Sequence, residues 1–284
     1  MDERGTRWLT RRIVLVVAGI VLLFGTLRGS DGAGADLAVD VPRGVHEILG
    51  AGVVEALETG AVETARRLGD PLSVARWEPG EWTYEITAGA RRGTTLREAL
   101  AVIVPTGRGE TWRRTIGDEY TLYLSRTADG SLVLPSEIVH AHKAIVSYEP
   151  PLTYLIAALE PGATRVYDGR MNVYRAANPD SKWCSGRIRV TTVHAGMYRV
   201  TAPAGTFRAT LVKTDYRIDI FAVVSVTDTL YTFYAEGIGK VAEAEHQRIS
   251  ALGLFQTEKQ IGKVLVSFRL GRPSIAASLV EVNP

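Results

Sequence analysis

Apolar residues follow two different patterns along this chain. Residues 13–27 form one continuous apolar run without a charged side chain, whereas short runs of alternating apolar and polar residues recur from Trp77 onward. A long apolar run is typical of a membrane-spanning or signal segment, and alternation with a period of two indicates strands with one buried face. The pattern therefore predicts an N-terminal apolar segment followed by a β-rich domain.

Arginines are concentrated on one side of the apolar run. Arg4, Arg7, Arg11 and Arg12 precede it, and only Arg28 follows closely. Positive charge is retained on the cytoplasmic side of a membrane, so the N-terminus is predicted to be cytoplasmic and the β-rich domain periplasmic. The predicted membrane-contacting residues are Ile13, Val14, Leu15, Val16, Val17, Ile20, Val21, Leu22, Leu23 and Phe24.

Two fates of the apolar run remain open. A comfortable span needs about 20 apolar residues, and this run is shorter. Ala33-Gly34-Ala35 has the small-x-small form of a signal-peptide cleavage site, but Arg28 and Asp31 lie between the run and that site. We predict a retained single-pass anchor in the inner membrane, with cleavage and secretion to the periplasm as the alternative.

The remainder of the chain divides by composition. Residues 29–43 are rich in Gly, Ser and Asp and are predicted to be a linker, and residues 44–70 are predicted to be helical. Apolar residues from Val45 to Leu68 have the spacing of one amphipathic helix, or of two short helices broken near Gly60. Residues 1–28 are the anchor or signal, 71–270 the β-rich domain, and 271–284 a C-terminal tail.

Short apolar runs separated by turn residues continue through the β-rich domain. Their spacing of about 8–12 residues is typical of an antiparallel meander. Asp129-Gly130 is a strong hairpin signal, because glycine accepts the positive φ that the turn needs. The predicted fold class is mainly β: an antiparallel meander forming a curved sheet, half-barrel or sandwich, with an N-terminal transmembrane helix and a short amphipathic helical segment. The predicted strands are 82–86, 100–104, 120–124, 132–134, 187–193, 197–201, 207–214, 216–226, 229–235, 241–249 and 263–270, with 221–226 as a central strand.

Charge and cysteine content exclude some classes of protein. The chain has 33 basic and 31 acidic residues, and this balance argues against a nucleic-acid-binding surface. A single cysteine, Cys184, excludes an intrachain disulfide and is expected to be buried and free.

Four motifs in one order carry a family resemblance. They are the hairpin at Asp129-Gly130, residues 148–152 (YEPPL), residues 200–209 (VTAPAGTFRA) and residues 231–241 (YTFYAEGIGKV). Together they resemble the DUF3108-like family of uncharacterised bacterial envelope proteins over about residues 77–246. Glu236 stands where that family usually has proline. The resemblance implies a secreted or membrane-attached β-sheet domain, without catalytic residues to carry over.

Proline and glycine in these motifs predict turns. Pro203 fixes φ and Gly205 supplies a turn conformation, which together join two strands tightly. Gly237 and Gly239 are expected to allow a bulge or a close backbone approach at a strand end. We therefore interpret these four residues as structural.

His140 and His142 are the weak candidates for metal binding. Residues i and i+2 of a strand project from the same face, so the two imidazoles could chelate one ion, with a third ligand from His194 or His246. Two solvent-facing strand histidines are the plainer interpretation, so we predict no metal and no cofactor. Trp77, Trp82, Trp112 and Trp183 could line a sugar or lipid cavity, although aromatic residues on half-buried strands more often form core.

Three functional hypotheses follow. The first is a non-catalytic periplasmic binding or scaffold protein, tethered by its N-terminal helix and serving a protein partner as an accessory subunit of an inner-membrane complex. The alternative is a carrier of lipid or another apolar ligand in a β-sheet cavity. The third, an enzyme acting on envelope glycan or peptide, requires a cleft in which His140 or His142 meets carboxylates.

Overall fold

The computed structural model describes residues 41–57, 71–75, 77–103, 111–220, 224–251 and 255–271. The predicted anchor at residues 13–27, most of the predicted linker and most of the tail lie outside these ranges. No helix in the described ranges is both long enough and apolar enough to cross a membrane.

The described strands form one antiparallel sheet that closes on itself. Strands β2 to β13 pair in chain order, and β8 pairs with β9 while β13 pairs with β2, which gives a closed barrel of twelve strands in the described part of the chain. The short strand β1 joins β9 outside this ring. The strands are β1 Val54–Ala56, β2 Gly80–Ala88, β3 Thr95–Ile103, β4 Thr111–Ile116, β5 Tyr120–Arg126, β6 Leu132–Val139, β7 Ala144–Leu155, β8 Thr164–Arg175, β9 Asn178–Ala202, β10 Gly205–Ile220, β11 Val224–Ala235, β12 Gly239–Ala251 and β13 Phe255–Leu270.

Alternation along the strands separates an inner face from an outer face. In β2, Trp82, Tyr84 and Ile86 are buried, whereas Glu85 between them is exposed. Successive strand residues point to opposite faces, so every second residue enters the barrel. The mainly β prediction is confirmed. The predicted forms are a curved sheet, a half-barrel or a sandwich, and the observed sheet curves further and closes into a full barrel.

Three tryptophans fill one end of the barrel, which we call the tryptophan end. The Trp77 ring meets the Trp112 ring edge-on at 5.8 Å and the Tyr154 ring at 5.9 Å between centroids. Trp82 donates its Nε1–H to the Ile238 carbonyl at 2.9 Å, which ties the β11–β12 turn to β2. These aromatic residues are core, which was the plainer of the two interpretations from the sequence.

Two short helices precede the barrel: α1, Arg43–Leu49, and α2, Pro71–Val74. Ala242 and Ala244 alternate with the inward-facing Glu243, yet they are fully buried on the outer face of β12. A Cβ at Gly262 would lie 2.7 Å from the Ile48 carbonyl, so this glycine permits the close approach of α1 to β13. Small residues on β12 and β13 thus make the seat for α1.

The predicted amphipathic helix is shorter than expected. The helix ends at Leu49, because Gly50 and Gly52 adopt φ values of 100° and 80° that an α-helix does not contain. Val53 and the residues after it lead into β1 instead. Residues 58–70, the second half of the prediction, lie outside the described residues.

Several predicted strand boundaries are wrong. Runs 187–193 and 197–201 are parts of one strand, β9, and β10 contains run 207–214 together with the first residues of run 216–226. The register of the β9–β10 pair shifts between Leu211 and Val212. This bulge accommodates the interruption of the apolar and polar alternation, so the two strands stay paired on both sides of it. Ile220 pairs with Val224, so the predicted central strand 221–226 is not continuous with 216–220; residues 221–223 lie outside the described ranges.

Candidate functional site: a polar and apolar cavity inside the barrel

A cavity of about 340 Å³ lies inside the barrel and reaches the turns at the end opposite the tryptophans. We call this end the rim; it includes Arg91 of the β2–β3 turn and Glu119 of the β4–β5 turn, which form an ion pair there. The cavity therefore occupies the part of the barrel that the tryptophans leave unfilled.

The cavity has two unlike walls. Strands β2 to β7 contribute an apolar wall, and β12 and β13 contribute a polar wall. The apolar wall consists of Ile86, Ala88, Leu96, Ile116, Leu122, Leu134 and Leu152. The polar wall consists of Lys240, Glu243, Glu245, Lys259 and Lys263, with Ile261 between the two β13 lysines. A cavity with one apolar and one charged wall matches a molecule that is itself amphipathic.

The deep part of the polar wall is a network of buried ion pairs. Arg114 donates its Nε–H to Glu98 Oε2 at 3.1 Å. Lys240 Nζ donates to Glu98 Oε1 at 2.8 Å and to Glu243 Oε2 at 3.0 Å, and Lys263 Nζ donates to Glu243 Oε1. Each of these charges has an opposite charge in hydrogen-bond contact, which is the condition for keeping a charge buried.

Pairing determines the ionisation of this network. Burial by itself would raise the pKa of Glu98, but Arg114 and Lys240 lower it well below its ordinary value. Glu243 behaves in the same way, because Lys240 and Lys263 overcome the effect of burial and lower its pKa. Both carboxyl groups are therefore charged at neutral pH.

Tyrosines fix the positions of the cations in the network. Arg114 donates from NH1 to the Tyr154 hydroxyl at 3.2 Å. The Tyr84 hydroxyl donates to the Lys240 carbonyl at 3.0 Å, and the Lys240 ammonium lies 5.2 Å from the centroid of the Tyr84 ring. Such contacts hold a flexible lysine in one geometry and leave it little freedom to contact a ligand.

Nearer the rim, two charges on the same wall lack such partners. Glu245 is buried, and its Oε1 accepts no hydrogen bond from the described residues. Lys259 is half-buried and makes no hydrogen bond or salt bridge within the described ranges. Burial raises the pKa of Glu245 to about 7, with Lys263 and Lys259 opposing the shift. This carboxyl group therefore changes its protonation near neutral pH.

A second buried carboxyl group faces the polar wall from β6. The Tyr148 hydroxyl donates to Glu137 Oε1 at 2.7 Å. Burial raises the pKa of Glu137 to about 7, and the Tyr148 hydrogen bond opposes this shift. Glu137 lines the cavity together with Tyr120 and Tyr216.

The structure places His140 and His142 in a 3₁₀ turn between β6 and β7, not on a strand as predicted. The strand ends at Val139 because the chain reverses direction there, with Lys143 in the left-handed region at φ 50°. His140 is exposed, and its Nε2 lies 2.8 Å from Thr121 Oγ1. Within the described residues, no cluster of three or more His, Cys, Asp or Glu side chains has the arrangement of a metal site.

The other two histidines lie elsewhere. His194 is fully buried, and its Nδ1 is 3.2 Å from the Leu159 carbonyl, where it ties the β7–β8 loop to β9. His246 pairs with Glu258 on β13. Neither one contacts His140, so the structure does not bring a third ligand to the predicted pair.

The predicted turn residues lie at strand ends. Pro203 lies between Ala202 and Gly205, which pair across the β9–β10 hairpin. Gly237 and Gly239 form the β11–β12 turn with φ values of 72° and 98°. A Cβ at Gly239 would lie 2.8 Å from the Ala75 carbonyl, so this position requires the close backbone approach that only glycine allows.

Two further residues are buried. Cys184 is buried and free, as expected. Asp228 is buried inside the barrel, because its position in β11 has inward-facing parity, and it pairs with Tyr216 of β10.

A second cavity, of about 530 Å³, lies where the barrel wall opens. Strands β7 and β8 pair only from Ala144 and Arg175 to Glu149 and Arg170. Residues 164–169 of β8 continue without a β7 partner among the described residues, and Val166 there is 50% exposed. We call residues 164–169 the open edge of β8.

The charged residues of the polar wall alternate with apolar residues in the sequence, but this alternation does not show which residues face inward. In β12, Glu243 and Glu245 alternate with Ala242 and Ala244, and in β13 Lys259 and Lys263 alternate with Ile261. Alternating glutamate and alanine normally indicates an outward-facing glutamate. Here the alanines are fully buried on the outer face of β12, against which α1 packs, and the charges face inward.

No family model matches this chain, and no curated protein matches it. The resemblance to the DUF3108-like family stays a prediction. Solved structures do match in part. One is a candidate exported protein with a YmcC-like fold from Bacteroides fragilis, at 18% identity and a TM-score of 0.39, covering 72% of this chain and 99% of that chain.

Two other solved structures match at a lower level. A candidate lipoprotein of Parabacteroides distasonis is 11% identical with a TM-score of 0.34, over 72% of this chain and 99% of that chain. The hypothetical lipoprotein YmcC of Escherichia coli is 10% identical with a TM-score of 0.34, over 67% of this chain and 86% of that chain. We draw no functional conclusion from similarities at this level.

Proposed function

We propose that this protein binds a small amphipathic molecule inside its barrel. The observation that supports the proposal is the cavity between an apolar wall and a charged wall, with the buried Glu245 oxygen unpartnered at its polar side. An unsatisfied buried polar atom costs free energy, and a ligand that supplies the missing hydrogen bond recovers it. This corresponds to the carrier hypothesis from the sequence.

The size of the cavity limits the ligand. Its volume of about 340 Å³ is near the lower end of small-molecule pockets, which span roughly 300–1,000 Å³. One short acyl chain or a small ring system fits this volume, whereas a lipid with two long chains does not. The proposed ligand is therefore a single-chain or compact amphiphile.

Location at the inner membrane, facing the periplasm, is part of the same proposal. Its support is the apolar run at residues 13–27 with arginines before it. An anchored barrel would meet amphipathic molecules as they leave or enter the bilayer. A C-terminal reporter that is active only in the cytosol would contradict this location without affecting the binding proposal.

Native mass spectrometry of the full chain, released from membranes in a gentle detergent, tests the binding proposal. We expect a co-purified small molecule that is lost when Ala88 at the rim is replaced by Trp, because the indole ring occupies the cavity mouth. The matched control is Val102→Trp, at an exposed apolar position outside the cavity lining. An adduct that persists in Ala88→Trp, in a variant with unchanged circular dichroism, would contradict the proposal.

A second candidate function, the scaffold role with a protein partner, is favoured by the open edge of β8. An extended segment of another protein could pair with residues 164–169 as an added strand, with Val166 beside it. An exposed strand edge offers backbone hydrogen-bonding groups to an added strand.

Replacing Val166 by Lys tests this second candidate. We expect any complex isolated with the native chain from gentle detergent extracts to dissociate in Val166→Lys, because the charge protects the edge. Phe255→Lys, another strongly exposed apolar position, is the control and should retain the complex. A complex that survives Val166→Lys would exclude the edge as its contact.

A further inference from the structure

The polar wall and the network behind it hold more positive than negative charge. Four cationic side chains and three carboxyl groups form them, and the carboxyl groups of Glu137 and Asp228 lie on other strands of the barrel, β6 and β11. The cations are Arg114, Lys240, Lys259 and Lys263, and the acids are Glu98, Glu243 and Glu245. A cation without a carboxylate in contact favours a ligand of the opposite sign.

The cations of the polar wall differ in how they are paired. Lys240 is engaged by Glu98 and Glu243, and Lys263 is engaged by Glu243. Lys259 has no such partner among the described residues, and it lines the cavity. Its ammonium group is therefore the cation that is available to a ligand.

Strand register brings Glu245 beside this lysine. Glu245 pairs with Ile261 and Gln247 pairs with Lys259, so Lys259 is the diagonal neighbour of Glu245 on the inner face. Diagonal neighbours across an antiparallel pair are about 7–8 Å apart and within reach of long side chains. A small charged group between the two side chains can contact both of them.

Glu245 can act as a hydrogen-bond donor in this position. Burial raises its pKa to about 7, so a modest change in its surroundings protonates it. A protonated carboxyl group donates one hydrogen bond, whereas a carboxylate only accepts. Glu245 lines the cavity, and its buried Oε1 accepts no hydrogen bond from the described residues.

On the basis of the proposed function, we propose that the ligand is an anionic single-chain amphiphile whose carboxylate or phosphate head lies between Lys259 and Glu245. Lys259 supplies a charge-assisted hydrogen bond, and protonated Glu245 supplies a second one. The chain extends along the apolar wall toward Leu122 and Leu134. The bound anion replaces the negative charge that Glu245 gives up on protonation.

Binding is then linked to proton uptake. Affinity falls as pH rises through about 7, because the free protein then holds Glu245 as a carboxylate that must take up a proton. The charged and titratable groups that face Glu245 or Lys259 are Arg91 of the β2–β3 turn, Tyr120 of β5, Asp228 of β11, Lys240 and Glu243 of β12, and Lys263 of β13.

Calorimetric titration of the full chain in lipid nanodiscs, with empty nanodiscs subtracted, tests the proposal. The probes share one eight-carbon chain and differ in the head: octanoate, octyl phosphate, octanol and octylamine. At pH 6 we expect octanoate or octyl phosphate to bind at least about tenfold more tightly than octanol. Which of the two anions binds more tightly distinguishes a carboxylate head from a phosphate head.

Three variants locate the head. Lys259→Gln should reduce the anion preference to about that of octanol, whereas Lys213→Gln, on the outer face, should leave it unchanged. Glu245→Gln should keep the affinity at pH 6 and remove its decline toward pH 8, because the amide remains a donor at both pH values. Two results would overturn the inference but not the proposed function. One is that octylamine binds most tightly and that Glu245→Gln abolishes its binding. The other is that octanol and octanoate bind equally tightly. Failure of all four probes would contradict the proposed function itself.

Discussion

Two groups of charges lie inside the barrel and differ in how they are paired. Toward the tryptophan end, Glu98 and Glu243 each contact cations at hydrogen-bond distance. Toward the rim, Glu245 and Lys259 lie on the same two strands, β12 and β13, and lack such contacts among the described residues. Both groups contain glutamate and lysine, and the glutamates are buried in both, so pairing separates charges that stabilise the fold from charges left for a ligand.

The physical reason is the cost of removing a charge from water. In the deep group, several mutual contacts offset that cost, and the carboxyl groups stay ionised. In the rim group nothing offsets it fully, so the pKa of Glu245 rises to about 7. Glu137, on the facing wall with Tyr148 as its hydrogen-bond donor, is in the same situation.

The largest effect is expected from breaking the deep group. Glu98→Gln leaves Arg114 and Lys240 buried without their shared carboxylate, and should lower the free energy of unfolding by about 3–5 kcal/mol. Urea unfolding followed by near-UV circular dichroism measures this loss. Glu85→Gln, on the exposed face of β2, is the control and should change stability by less than about 0.5 kcal/mol. Equal effects of the two substitutions would contradict a stabilising role for the deep ion pairs.

A somewhat smaller effect is expected from pH. The pKa of Glu137 is about 7 in the folded protein, above its ordinary value of 4.5, so the folded state binds more protons than the unfolded state between those values. Stability should therefore fall as pH rises from about 4.5 to 7, by up to about 3 kcal/mol for this group. Unfolding measured at pH 5 and pH 8 should show a smaller decrease for Glu137→Gln than for the native chain. The same decrease in both proteins would show that Glu137 is not the titrating group.

Tyr148→Phe also tests how the ionisation of Glu137 affects stability, with a smaller expected effect. It removes the hydroxyl that donates to Glu137, so the pKa of Glu137 should rise further and stability at pH 8 should fall by about 1–2 kcal/mol. At pH 5, where the carboxyl group is already protonated, the loss should be smaller. A loss that is independent of pH would mean that the hydroxyl acts through packing alone.

The smallest effect is expected at the rim. Lys259→Gln removes a charge that has no partner among the described residues, so the free energy of unfolding should change by less than about 1 kcal/mol. Lys240→Gln, the same substitution in the deep group, should cost several times as much, since Glu98 and Glu243 both lose a donor. Urea unfolding of both variants under one set of conditions makes the comparison, and similar losses would contradict it.

Alternation and turn chemistry in the sequence determined that this domain is an antiparallel β-sheet. The period of two along β2 and the Asp129-Gly130 turn depend on neighbouring residues only, and both correspond to observed elements. The burial of Cys184 follows in the same way from residue type. Local patterns are reliable for such features because strand faces and turns are set within a few residues.

Tertiary structure alone decided that the sheet closes and which face of β12 looks inward. Closure requires β13 to pair with β2, a contact between strands far apart in the chain. Because Ala242 and Ala244 are buried on the outer face of β12, Glu243 and Glu245 face the interior, where lysines from β13 meet them. Alternation of two residue types along a strand does not specify which of the two faces the interior. Only the packing of distant elements decided this orientation, and the orientation creates the charged wall of the cavity.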